Sequence, residues 1–236
     1  MLSIFKRELR AYFTGVVGYV FLVIFLAMAG VVFCYTTLFS MSADVTSYFV
    51  AMLLFSAIIL PILTMKSFSE ERKLKTEQLL LTSPVSITGM VMGKFLAAYV
   101  MFAGALLFTS LYFLILVPYA ITFRLAMLLG NVLALLLVGA VFISIGLFVS
   151  SLTENQLSAA VGTIAIILGF LGVGLLSSLV PTEYSIRYVL DSVSVFGRFT
   201  AFTSGYFDIS ALVFYLSLSA LFLYLTVRIY DRRRYN

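Results

Sequence analysis

Residues 125–153 read LAMLLGNVLALLLVGAVFISIGLFVSSLT, closed off by Arg124 and Glu154, with no charged residue between them. A hydrocarbon core of about 30 Å is crossed by roughly 20 apolar residues rising ~1.5 Å each, so this run is long enough to span one. A helix apolar on all sides belongs in lipid or at the centre of a large body. The sequence to either side repeats the pattern. Uncharged runs lie between Arg10 and Asp44, Asp44 and Lys66, Lys94 and Arg124, Glu154 and Glu183, and Asp208 and Arg228. They predict helices at 16–39, 45–65, from Lys94 to near Pro118, and across 124–154, 154–183 and 208–228. The fold class is therefore an all-α polytopic membrane protein with six transmembrane helices, forming one domain over 1–236.

Composition agrees. Hydrophobic residues make up 63% of the 236 positions and charged residues 11%. Soluble domains carry about 45–50% and about 25%. Fifteen Lys and Arg with ten Asp and Glu cannot cover a soluble body of this size, and the same balance excludes disordered and fibrous classes. Histidine is absent, which removes His-containing zinc sites, Ser–His and Cys–His nucleophile pairs, and haem ligation through His. The single cysteine, Cys34, has no partner for a disulfide and reads as a small buried hydrophobe.

The net charge of +5 is not a nucleic-acid signal, because the basic residues flank the spans. Lys6, Arg7 and Arg10 precede the first. Lys66, Arg72, Lys73, Lys75 and Lys94 follow the second, and Arg228, Arg232, Arg233 and Arg234 follow the last. All of these fall on one side of a six-helix topology, leaving only Arg124, Arg187 and Arg198 on the other. Both termini are expected in the cytoplasm. The first apolar run is too long for the ~7–15-residue core of a signal peptide, so it is read as a retained helix. With no tryptophan present, Tyr12, Tyr48, Tyr119, Tyr184, Tyr206 and Tyr230 are expected to anchor helix ends at the interface.

Three segments do not span. Within 1–15, Leu2, Phe5, Leu9 and Tyr12 or Phe13 recur at helical spacing opposite Lys6, Arg7 and Arg10, which predicts an amphipathic helix lying in the interface. The 66–86 loop is charge-dense. It places Leu74, Gln78 and Leu81 on one helical face and leaves Glu70, Glu71, Lys73 and Glu77 to solvent or a partner. Ser83-Pro84 reads as a helix start, and a solvated loop is the plainer alternative. The 183–208 segment is too aromatic for a free loop and too charged to span. It is expected to pack at the outer interface or dip part way in. Gly162, Gly169, Gly172 and Gly174 predict a close packing face on the fifth helix, the other reading being a flexible gate.

Chemistry is sparse. Gly89-Met-Val-Met-Gly93-Lys94-Phe95 falls one residue short of a phosphate-binding loop and ends in Phe, so no ATP site is expected. Asp44, Glu154, Glu183 and Asp208 all mark run boundaries, which leaves no acid deep in a span for proton relay or catalysis. No catalytic, metal or cofactor residue is assigned.

The stretch Glu70-Glu71-Arg72-Lys73-Leu74-Lys75-Thr76-Glu77-Gln78-Leu79-Leu80-Leu81-Thr82-Ser83-Pro84 resembles the cytoplasmic loop of type-2 ABC (ABC-2) exporter permeases, followed by the family's Gly-Lys at Gly93-Lys94. Ser151-Leu152-Thr153-Glu154-Asn155-Gln156, Phe199-x-x-Phe202-x-x-Gly205 and the last helix from Phe214 to Arg228 are similar to the gliding-motility, Gld-type branch. The resemblance implies a permease subunit that is no enzyme. It would dimerise with a second permease and work with separate ABC ATPase subunits, which bind the ATP, in a bacterial cytoplasmic membrane. Coupling would fall to Glu70, Glu71, Arg72, Lys73, Leu74, Lys75, Thr76, Glu77 and Leu80, in a coupling helix near Glu71–Leu80. The segment 1–15 would be the connecting helix, and 183–208 a re-entrant outer hairpin carrying Phe199, Phe202 and Gly205. Lys75 stands where the family often has Gly. A non-transporting anchor or mechanical adaptor for an ATPase, and a secondary carrier, are the other readings. Charge reversal at Glu71 with Arg72 is expected to uncouple the ATPase and leave the helices intact.

Overall fold

Buried positions ring the whole circumference of the 125–152 helix. In the computed structural model, which describes residues 2–40, 45–77, 86–116, 125–179, 193–203 and 208–235, this helix is the axle of the bundle. The chain order is α1 (Leu2–Thr14), α2 (Val16–Phe33, extended by a wider turn over Cys34–Phe39), α3 (Val45–Thr64) and α4 (Lys66–Lys73). Then come α5 (Ile87–Ser110, closing in a tight 3-10 turn over Leu111–Leu116), α6 (Leu125–Leu152), α7 (Gln156–Leu179), α8 (Val195–Thr203) and α9 (Ile209–Tyr235). Six of the helical stretches are long and apolar enough to cross a membrane. α6 packs against α3, α4, α5, α7, α8 and α9. Of its most apolar window 78% is buried, against 28% for α2.

Several expectations shift. The third span starts at Ile87, not at Lys94, so Lys94 lies about two turns inside α5 and is buried. Its N-cap is Ser86, whose hydroxyl accepts from the Gly89 N–H at 3.2 Å; the helix start read at Ser83-Pro84 lies outside the described residues. The last span is longer than predicted and carries Arg232–Arg234 in its final turn. Cys34 is exposed, because the widened turn at the end of α2 aims it outward.

Tyr48 and Tyr230 are not interfacial anchors. Both are fully buried, Tyr48 edge-on to Phe49 and Phe113, and Tyr230 against Phe68. Tyr119, Tyr184 and Tyr206 lie outside the described residues. On α7, Gly162 and Gly174 meet neighbours: a Cβ would stand 3.1 Å from Val149 Cγ1 and 2.5 Å from Ser194 Oγ respectively. Gly169 and Gly172 meet nothing within 4 Å, so the glycines do not form one packing face within this chain.

The step from α3 to α4 carries the second span on toward the charged end. Pro61 lacks an N–H and weakens the helix there. The bend that follows is held by a side chain from α6. The Ser150 hydroxyl accepts from the backbone N–H of Phe68 and of Ser69, both at 3.1 Å, and donates to the Met65 carbonyl at 3.0 Å. One hydroxyl thus satisfies three groups that an unbroken helix would have paired internally.

Candidate coupling platform at the charged end of the bundle

Five elements meet at one end of the bundle: α1, α4, the first turns of α5, the last turn of α6 and the last turns of α9. Lys94 joins three of them, α1, α4 and α5. A lone ammonium in an apolar helix needs partners, and this one has three. Lys94 Nζ donates to Glu71 Oε1 at 2.8 Å, to the Ser67 carbonyl at 2.7 Å and to Glu8 Oε1 at 3.3 Å, and it sits 5.0 Å from the centre of the Phe68 ring. Arg7 closes the group, with Nη2 at 2.7 Å from Glu8 and 3.3 Å from Glu71. Two cations and two carboxylates therefore balance across α1, α4 and α5.

The Gly-Lys pair has a physical reason here. A Cβ on Gly93 would stand 3.1 Å from Ile4 Cγ2 and 3.3 Å from the Phe5 amide, so glycine lets α1 lie against α5. That approach carries Glu8 to Lys94. The face of α1 turned inward holds Ile4, Glu8 and Tyr12, while Leu2 and Phe13 point outward. The expected helix is present as α1, and it docks on the bundle through a mixed face in which Leu9 and Tyr12 of the apolar stripe join Ile4 and Glu8. Burial, with the Glu8 carboxylate nearby, pushes the Tyr12 hydroxyl well above the usual tyrosine range. The Arg7 guanidinium is pushed further up by its hydrogen bond to Glu8, against a smaller opposing effect of burial.

The other flank of α4 is tied to α6 and α9. Arg72 donates to the Leu152 carbonyl at 2.7 Å and pairs with Glu154 at 3.0 Å. Arg233 pairs with Glu77 at 3.0 Å and donates to the Ser151 carbonyl at 2.8 Å. Phe68 packs on Tyr230 with ring centres 4.9 Å apart. What remains outward is the tip, Lys73 to Thr76, with Leu74 64% exposed. Beside it, a notch of about 500 Å³ is lined by Lys73, Glu154, Asn155, Gln156 and Leu157. A second cavity of about 400 Å³ opens between α1 and α4.

Of the residues singled out in the sequence, Glu71, Arg72 and Glu77 are inward ion-pair members, so Glu71 and Glu77 are not left to solvent. Glu70 is half-buried, and Lys73, Leu74, Lys75 and Thr76 form the tip. Leu80 lies outside the described residues, as does Gly205. α4 ends at Lys73 and the chain turns over Leu74–Thr76 before Glu77, which is helical again; the rest of the helix expected near Glu71–Leu80, at 78–80, lies outside the described residues. Lys75 has φ +57°, the left-handed region that favours glycine. This is the position where the resemblance expects Gly, so the bend survives the departure at the expense of strain. Lys75→Gly is expected to raise stability by about 0.5–1 kcal/mol in a thermal melt, the relief of αL strain less the extra chain entropy of glycine.

At the opposite end, Phe199 and Phe202 of α8 are buried against the bundle. The Tyr215 hydroxyl donates to the Val195 carbonyl at 2.7 Å, and the Arg198 guanidinium lies 4.5 Å from the Phe214 ring centre. Sequence reasoning missed Glu8, Lys94, Ser150, Tyr230 and Arg233. For Lys94 the signal was present: it is the single charge in 87–116. The others lie far from α4 along the chain and gain meaning only by contact.

Among the described residues no cluster of acids and cysteine is suited to a metal. No characterised protein matches the chain significantly. It does match the family described as ABC-2 family transporter protein, over residues 2–233. A six-span bundle with a built end and an alignment running almost from end to end agree, and the chain belongs to the ABC-2 family of transporter membrane proteins.

Proposed function

We propose that this chain is a permease subunit of an ATP-driven exporter, with both termini in the cytoplasm, pairing with a second permease and receiving motion from separate ATPase subunits through the 66–86 segment. The supporting observation is the division of labour in α4. Its tip, Lys73–Thr76, is outward beside the notch at the α6–α7 turn, while its root is bound to α1, α5 and α6 by ion pairs and hydrogen bonds and to α9 by the Phe68–Tyr230 ring contact. A push on the tip is thereby delivered to four helices together. The sequence carries no phosphate-binding loop, so the motor is assigned to another chain. The α8 segment with Phe199 and Phe202 is assigned to the closing of the outer face.

The test is Lys73→Glu with Leu74→Asp, two outward positions whose change leaves the buried contacts in place. The ATPase subunit co-purifying from the native membrane is expected to be lost or to fall at least ~10-fold, with the thermal melt of the permease unchanged. Full retention of a coupled ATPase would count against the assignment. Hydrolysis without substrate flux would favour the mechanical-adaptor role.

A further inference from the structure

Away from the platform, an apolar groove of about 760 Å³ runs between α5 and α9 over the flank of α6. Its floor and walls include Phe95, Tyr99, Leu216 and Leu223, and its end nearest the platform carries Arg228 and Asp231. From Leu216 to Arg228 a helix rises ~18 Å, close to the ~15 Å hydrocarbon depth of one leaflet. The apolar length and the charged mouth are therefore spaced like one leaflet's chain region and its headgroup layer.

The mouth has both signs of charge. Arg228 and Asp231 are three residues apart on one helix face, so their side chains are neighbours about 5–6 Å apart at Cβ. Yet among the described residues neither makes an ion pair; Arg228 is exposed, with its guanidinium 5.9 Å from the Tyr224 ring centre. Every other acid–base neighbourhood of this end described above is paired. An unpaired guanidinium beside an unpaired carboxylate matches a phosphate linked through two methylenes to a primary ammonium. The phosphate accepts from Arg228 and the ammonium donates to Asp231. A choline headgroup has no N–H to offer the carboxylate, and a glycerol headgroup has no cation.

We propose that this groove is a binding site for phosphatidylethanolamine in the leaflet adjoining the platform, with an acyl chain along α5 and α9 and the headgroup on Arg228 and Asp231. Because α5 carries Lys94 and α9 carries Tyr230, which packs on Phe68, the lipid would lie against two of the helices that hold α4. The site is independent of the transport assignment.

The chain has no tryptophan, so a single introduced indole reports its own surroundings. Leu216→Trp places the reporter in the groove, and Val161→Trp places one on the outward face of α7. Both are reconstituted in phosphatidylcholine vesicles doped with chain-brominated phosphatidylethanolamine at about one lipid in ten. Quenching is expected to be at least 2-fold greater at Leu216→Trp than at Val161→Trp. Brominated phosphatidylglycerol should give no such excess. The excess should vanish in Arg228→Ala and in Asp231→Ala, and the plugging variant Ala220→Phe should remove it with both charges intact. Equal quenching at the two positions, or an equal excess with phosphatidylglycerol, would overturn the proposal. A reporter at 216 shielded from every brominated lipid would mean that a second copy of the chain covers the groove, and would overturn it too.

Discussion

Replacing Lys94 by methionine is expected to lower stability by about 3–5 kcal/mol, the usual loss when one partner of a buried ion pair is removed and the other stays charged. The reason is local. Glu71 and Glu8 both converge on Nζ, at 2.8 and 3.3 Å, and the Ser67 carbonyl takes the remaining donor at 2.7 Å. Without the ammonium, Arg7 alone faces two carboxylates, and Arg7 is about half exposed. The check is a melt of detergent-purified protein followed by size-exclusion recovery, for Lys94→Met, Glu71→Gln and the double variant. The double variant should recover a large part of the loss, since it removes a charge of each sign. A Lys94→Met protein as stable as the parent would show that the cluster does not hold α1, α4 and α5 together. Reversing Glu71 with Arg72, attractive from the sequence, is expected to damage this same cluster. It is a test of folding before it is a test of coupling.

Gly139→Ala is the second large effect, and it acts in the middle of the bundle. The added Cβ would stand 2.0 Å from Phe102 Cε1 and 2.8 Å from its Cζ. Phe102 is fully buried and edge-on to Phe25 at 5.9 Å between ring centres, so its ring has no free space to enter. Overpacking of this kind costs about 1–3 kcal/mol, and Gly139→Leu should reduce the yield of folded protein outright. Pairing Gly139→Ala with Phe102→Leu should restore most of the melting temperature, because the truncated side chain makes room. If Gly139→Ala alone melts like the parent, α5 and α6 are not as close as 2.0 Å implies.

Much of the architecture was legible because charge is scarce. Where 11% of residues carry charge, each one marks the end of a span or a partner. That is why the six runs were found, and why the tip at Lys73–Thr76 fell in the segment singled out. The same rule misread Lys94. A boundary charge and a buried, paired charge look alike in one dimension, and only α1 lying against Gly93 tells them apart. Tyrosines at helix ends posed the same ambiguity. Tyr48 and Tyr230 stand near helix ends as expected but point into the protein, since position along a helix follows from the sequence and facing follows from its neighbours. α1 was recognised as amphipathic, but its docking face includes Glu8, which a search for an apolar stripe passes over.

By itself the sequence determined that this chain lives in a bilayer, how many times it crosses, and that it has no histidine- or phosphate-loop engine. The first two rest on summed transfer free energies, which depend on composition and run length and hardly on packing, and the third on residue types and motif alone. Only the tertiary structure decided which charges are partners. The ion pairs join residues 8 and 94, 71 and 94, 72 and 154, and 77 and 233, and Ser150 reaches back to the bend at Met65. Such contacts act over a few ångströms and depend on helix rotation and closeness, which glycines at 93 and 139 permit and no local pattern encodes.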